Sequence, residues 1–193
     1  ELKWDGMRVV ARSAPDGWVL MGRSGRDVTA SFPDLGGDDG VAGLSARLGD
    51  RAVVLDGEVV VVDEAGRPSF SRLQQRMNVA RPEPSLVAAV PVQYLVFDLL
   101  RLGGIDATDL PYRERRRLLE ALDLDTGAEG RVRVPPLLDL GPAEAWATAE
   151  AMGMEGIVAK RLDSPYRSGR RSPSWRKAKV LRTQEVVVAV AAA

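Results

Sequence analysis

The sequence predicts an α+β fold: two largely antiparallel β-sheets with flanking helices. Three observations lead there. Short apolar runs separated by turn signals dominate the chain. A few segments instead carry helical spacing bounded by proline or glycine. Strands and helices mix without the βαβ regularity of a parallel sheet. A chain of 193 residues is long enough for one large domain or two small ones.

Residues 7–12 and 18–21 read as strands joined by a turn at Ala14-Pro15-Asp16-Gly17. Residues 24–34 are polar and loop-like. Residues 39–48 have helical spacing and stop at Gly49. Two strands, 52–55 and 59–62, are expected on either side of Asp56-Gly57-Glu58. Residues 70–77 read as a short helix, and 92–100 as a buried strand closed by Gly103-Gly104. A helix over 112–122 starts after Pro111, and another over 142–152 ends at Gly153. Strands follow at 156–162, 175–180 and 185–190. An apolar strand at a terminus calls for a partner, so the sequence reads as part of a longer protein. On the 112–122 helix, Arg113, Arg115, Arg116 and Arg117 read as a solvated face.

Composition removes whole classes of chemistry. With no Cys and no His there is no thiolate nucleophile, no Ser-His pair and no HExxH or cysteine zinc site. Proton transfer falls to Asp, Glu, Lys, Tyr or water. Any metal must rest on oxygen ligands, which favours Mg²⁺, Mn²⁺ or Ca²⁺. No apolar run approaches the roughly 20 residues of a membrane helix.

The formal net charge is zero, yet residues 160–182 hold nine cations against the single acid Asp163. A basic strip on an acidic body points to a polyanion partner. Of the 27 cations only four are lysines: Lys3, Lys160, Lys177 and Lys179. Arg stays protonated and is a poor nucleophile, whereas Lys can lose its proton and is a compact phosphate ligand. The places where lysine persists are therefore the places to look for chemistry.

Those places fall in five segments. Glu1-Leu2-Lys3-Trp4-Asp5-Gly6-Met7-Arg8 resembles motif I of the covalent nucleotidyltransferases, the group of ATP-dependent DNA ligases, RNA ligases and mRNA capping enzymes. Leu55-Asp56-Gly57-Glu58-Val59-Val60 resembles their motif III, and Tyr94-Leu95-Val96-Phe97-Asp98 their motif IIIa. Glu155-Gly156-Ile157-Val158-Ala159-Lys160-Arg161 resembles motif IV, and Trp175-Arg176-Lys177-Ala178-Lys179 motif V. All five stand in the family order over nearly the whole chain. Their wording is most similar to ATP-dependent DNA ligases of the bacterial non-homologous end-joining type.

The resemblance implies an ATP-grasp-like adenylation domain over residues 1–185, with 186–193 beginning an OB-fold domain of the same full-length chain. It implies that Lys3 attacks the α-phosphate of ATP, leaving AMP on Lys3, before AMP passes to a 5′-phosphate at nicked double-stranded DNA and the 3′-hydroxyl seals the strand. By the same resemblance Glu1 reads the adenine amino group, Arg8 and Glu58 hold the ribose, and Phe97 stacks on the base. Glu155 stands near a catalytic Mg²⁺ or Mn²⁺, and Lys177 and Lys179 flank the α-phosphate. Alternation along a strand puts these two lysines on one side.

Arg23 resembles a DNA-contacting residue of motif Ia, and Lys160 is a candidate for phosphate or DNA. Arg167, Arg170 and Arg171 lie in a Ser/Gly/Pro-rich loop suited to DNA phosphates. In the family, motif VI of the OB-fold domain orients the pyrophosphate. Further expectations are end-joining protein partners, no membrane association, and a bacterial cytoplasmic, nucleoid-associated location. An RNA ligase or capping-type enzyme and a non-catalytic DNA-end-binding module are the alternatives.

Overall fold

The computed structural model describes residues 1–127, 130–170 and 172–180. Two sheets organise it. The larger has six strands: β2 (Met7–Ala14), β3 (Gly17–Gly22), β4 (Val53–Val60), β5 (Gln93–Leu102), β6 (Ile105–Asp106) and β7 (Val132–Arg133). Its order is β3-β2-β4-β5-β6, with β7 beside β5. All pairs are antiparallel except β5–β7, which is parallel. The smaller sheet is β1 (Leu2–Lys3), β8 (Gly156–Lys160) and β9 (Trp175–Lys179), in the order β1-β8-β9 and wholly antiparallel.

Alternation along β2 sends Val9 and Ala11 into the main core and leaves Arg8 and Val10 on the other face. That core joins Leu55, Val59, Val96 and Leu99 of the sheet to Phe32, Leu35, Leu73 and Leu119 outside it. A second, smaller core forms where α5 (Pro142–Ala151) covers the small sheet. There Ala145 and Ala149 meet Ile157, Met154, Leu2 and Trp4. Because Leu2 and Trp4 face that core, strand periodicity turns Glu1 and Lys3 to the opposite side.

Three expectations are corrected. Asp56-Gly57-Glu58 is not a turn between two strands: β4 runs straight through it. Glycine is required there by close packing. A Cβ on Gly57 would sit 2.6 Å from both Leu95 O and the Tyr94 ring. Asp56 stays in the strand because Arg8 pairs with it. Residues 39–48 form no long helix. A 3₁₀ turn at Ala42–Leu44 runs into the single turn α1 (Ser45–Leu48), which Gly49 ends at a φ of +57°.

The third correction concerns α4 (Tyr112–Ala121). Arg115 and Arg116 are buried, while Arg117 is exposed. Arg115 makes a two-pronged pair with Asp98 at 2.7 and 2.9 Å and donates to Leu110 O and Ser164 O. Arg116 donates to Glu120 and to Pro135 O.

Two helices complete the architecture: α2 (Phe70–Met77), as the sequence predicts, and α3 (Pro84–Ala89), which it does not. The strand expected at 185–190, the boundary at 185 and the segment 186–193 lie outside the described residues. Segment 162–166 straps the small sheet to the large body. Tyr112 N donates to Ser164 O, Arg113 N to Leu162 O, and Tyr166 N to Thr108 O.

Candidate functional site

Lys3 closes β1, directly opposite Gly156 of β8. Gly156 has a φ of +146°, and a Cβ there would lie 2.0 Å from Ala178 O, so only glycine lets β8 and β9 approach so closely. Glu155, just before it, is thereby held beneath both strands. Its Oε2 accepts from Lys3 Nζ, and its Oε1 accepts from Lys179 Nζ at 2.8 Å. Burial works against the Glu155 charge, but the hydrogen bonds from Lys179 and Lys3 win and hold its carboxyl below the usual range. Asp5 lies close enough that burial and the Glu155 charge push its carboxyl up.

Arg8 and Glu58 are register partners on β2 and β4. Arg8 nevertheless pairs with Asp56, two residues along the same face of β4. Nε–Oδ1 is 3.0 Å and Nη2–Oδ2 is 2.6 Å. Burial drives the Glu58 carboxyl up to about 7, against the pull of Lys3, Arg8 and Lys177. The Lys177 ammonium is pushed down by burial and by the charges of Lys3 and Arg8. Lys3, Arg8, Glu58, Glu155, Lys177 and Lys179 therefore share one electrostatic site between the sheets. Lys177 and Lys179 take the same face of β9 as Trp175, whose ring meets that of Phe97 edge-on at 6.3 Å. The Arg8 guanidinium stands 5.7 Å from the Phe97 ring and 5.8 Å from the Trp175 ring.

Lys160 is not available to DNA in this structure. Its side chain is 3% exposed, and its ammonium bonds the Glu1 carboxylate at 2.8 Å and Phe97 O at 3.2 Å. It also lies 4.4–4.7 Å from the ring centres of Trp175, Phe97 and Tyr112. Burying the ammonium is tolerable because charge and three ring faces surround it. No local signal marks this burial, since Lys160 sits in a run of cations. Tyr112 OH also donates to Glu1, and Arg116 approaches it at 3.9 Å. Glu1 and Phe97, expected at the adenine, are thus already joined through Lys160.

Arg23, Arg167 and Arg170 are exposed, Arg23 at the turn after β3 and the other two beyond the 162–166 strap. Arg171 lies outside the described residues. Sequence reasoning missed Asp56, Tyr112, Tyr166 and Trp175 as parts of the site. Asp56 had a usable signal, since its offset of two from Glu58 puts both on one strand face.

The family model of the ATP-dependent DNA ligase domain matches residues 1–179. The chain belongs to the ATP-dependent DNA ligase family. The domain is 43% identical over 188 residues to a multifunctional non-homologous end joining DNA repair protein LigD of Mycobacterium tuberculosis, covering 97% of this chain and 22% of that protein. It is 37% identical to a probable DNA ligase of Kineococcus radiotolerans, covering 97% of this chain and 35% of the relative. The ligase domain thus spans about a fifth to a third of the length of these relatives. The solved ligase domain of M. tuberculosis LigD superposes with a TM-score of 0.75 at 40% identity, covering 93% of this chain and 53% of that one. A mycobacterial DNA ligase D complexed with ATP and MES gives 0.74 at 41% identity, again covering 93% and 53%.

Proposed function

We propose that the ligase domain forms a covalent AMP adduct on Lys3 and serves the sealing of nicked double-stranded DNA. One observation carries this reading. The first lysine of an arginine-rich chain meets a carboxylate, two further lysines and an aromatic-lined arginine at the junction of two sheets. A nucleophilic amine needs its attack site surrounded by charge that neutralises the phosphoryl group in flight. Lys177 and Lys179 supply it from one strand face. In this reading Arg8 and Glu58 would hold the ribose, and Phe97 and Glu1 the base. Attack of the Lys3 amine on the α-phosphorus of ATP expels pyrophosphate, the AMP passes from that amine to a 5′-phosphate, and the 3′-hydroxyl attacks that phosphate and expels AMP.

Glu155 fits a divalent cation of the Mg²⁺ or Mn²⁺ kind. Such ions often take only one or two protein carboxylates and keep waters and substrate phosphates. The neighbouring Asp5 supports the fit, while no group of three acidic ligands exists among the described residues. The ion would offset negative charge on the phosphates. Lys3 and Lys179 balance Glu155 by themselves in this structure.

Arg23, Arg167, Arg170 and Arg171 are the proposed DNA contacts. End-joining proteins as partners and a bacterial cytoplasmic, nucleoid-associated location belong to the same proposal; the end-joining names of bacterial relatives support its first part. The length of the relatives supports further domains in the full-length protein, and the family resemblance implies that one of them is an OB-fold. No described helix is long and apolar enough to cross a membrane. Labelled ATP incubated with the full-length protein tests the reading, since the label should be retained on Lys3 and released by nicked DNA.

A further inference from the structure

Asp56 is a fully buried carboxylate that must have each oxygen paired. Arg8 supplies two N–H groups. The remaining contact comes from far along the chain. Tyr166 OH donates to Asp56 Oδ2 at 2.7 Å and accepts from Arg8 Nη2 at 2.9 Å. Arg8, Asp56 and Tyr166 thus close a ring of three hydrogen-bonded groups. Without the hydroxyl, the Arg8 fork would keep only Asp56, with Glu58 facing it across the strand pair as a competing acceptor.

Tyr166 is itself held firmly. Its backbone N–H donates to Thr108 O, and its ring meets Trp175 edge-on at 5.8 Å. The Arg115 guanidinium lies 5.8 Å from the same ring. Arg115 also grips Ser164 O, two residues earlier. Immediately after Tyr166 come Arg167, Ser168 and Arg170, which line an open cleft with Thr108 and Asp109. One residue therefore links the basic cleft to the guanidinium beside Phe97 and Trp175.

We propose that Tyr166 is a positioning residue: its hydroxyl sets the Arg8 guanidinium in the nucleotide pocket, so that the end of the 162–166 strap, where the arginine-rich loop begins, forms part of the ATP site. The inference rests on the adenylation reading above. It assigns Tyr166 no contact with the reacting atoms. Its effect passes through Arg8, and this predicts how variants combine.

The test is a double-mutant cycle on adenylation of the full-length protein, read by intact mass across a range of ATP concentrations. The variants are Tyr166→Phe, Arg8→Lys and the pair. Tyr166→Phe keeps the ring against Trp175 and Arg115 and removes only the hydroxyl. A hydrogen bond to a charged group is worth about a tenfold change. The half-saturating ATP concentration should rise by about that factor, with the maximal rate within about threefold. In the Arg8→Lys background the same change should add less than about twofold, because groups acting as a unit are not additive. A wild-type ATP dependence in Tyr166→Phe would overturn the proposal. So would a full tenfold effect repeated on Arg8→Lys, or loss of the folded state in Tyr166→Phe, since either makes the hydroxyl a general stability element. If the wild type forms no adduct, the adenylation reading falls, and the proposal with it. Failure of the proposal alone shows only in the variants.

Discussion

Replacing Arg115 by Met should destabilise the domain by about 3–5 kcal/mol, although the residue sits in a run of arginines that reads as solvated surface. The magnitude follows from its surroundings. Both Arg115 and Asp98 are 0% exposed, and removing one partner of such a pair leaves a buried, uncompensated charge. Burial already pushes the Asp98 carboxyl up despite Arg115, so without the arginine Asp98 would take a proton and limit the loss. Leu110 O would lose its donor as well, while Ser164 O would keep the Tyr112 N–H. For a domain of this size, each kcal/mol moves the midpoint by about 2–4 °C, so a fall of about 6–20 °C is expected.

Denaturant unfolding of Arg115→Met, compared with Arg117→Met on the same helix, is the assay. The Arg117 side chain is 70% exposed and, among the described residues, pairs with Glu114, so its loss should cost no more than about 0.5 kcal/mol. Adding Asp98→Leu to Arg115→Met should recover much of the stability, because an apolar pair replaces an ionic one. Equal, sub-kcal/mol effects for the two arginines would refute the reasoning.

Three other outcomes are expected. Lys3→Arg should retain the fold and a cation on Glu155 yet form no AMP adduct, checked by intact mass and circular dichroism, since a guanidinium is no nucleophile at neutral pH. Glu58 titrates at about 7 instead of the ordinary 4.5, so the folded state binds its proton more tightly than the unfolded chain. Its stabilising contribution is therefore full at low pH and is lost as pH rises from about 4.5 to 7. Unfolding free energies of wild type and Glu58→Gln across that range should diverge accordingly and run parallel above it. Binding of nicked duplex should weaken steeply with salt. Replacing Arg167 and Arg170 by Ala should flatten the log–log slope by about 1.8, whereas an unchanged slope in a salt titration would place the loop away from DNA.

The motifs were legible because their chemistry needs particular residue types at close spacing. The strand carrying Lys177 and Lys179, and the strand that starts directly after Glu155 at Gly156, agree with the expected strands, whereas the short strand carrying Lys3 was not among them. The helices at Phe70–Met77, Tyr112–Ala121 and Pro142–Ala151 agree with their spacing and proline or glycine signals. What was hidden depends on contacts distant in sequence. Asp-Gly reads locally as a turn, but Gly57 is there to admit Tyr94 and Leu95, and Asp56 is there for Arg8 and Tyr166. A run of arginines reads as surface until Asp98, 17 residues before Arg115, is brought beneath the helix. Lys160 read as one more cation of a basic strip, because its cage comes from three separate segments.

The central claim, that Lys3 carries the nucleotide, is tested most directly by intact mass and peptide mapping of the full-length protein. The protein is incubated with ATP and Mg²⁺ and then with pyrophosphate. The account predicts one added AMP, mapped to Lys3 and removed by pyrophosphate. An adduct on any other residue, or none at all, would contradict it.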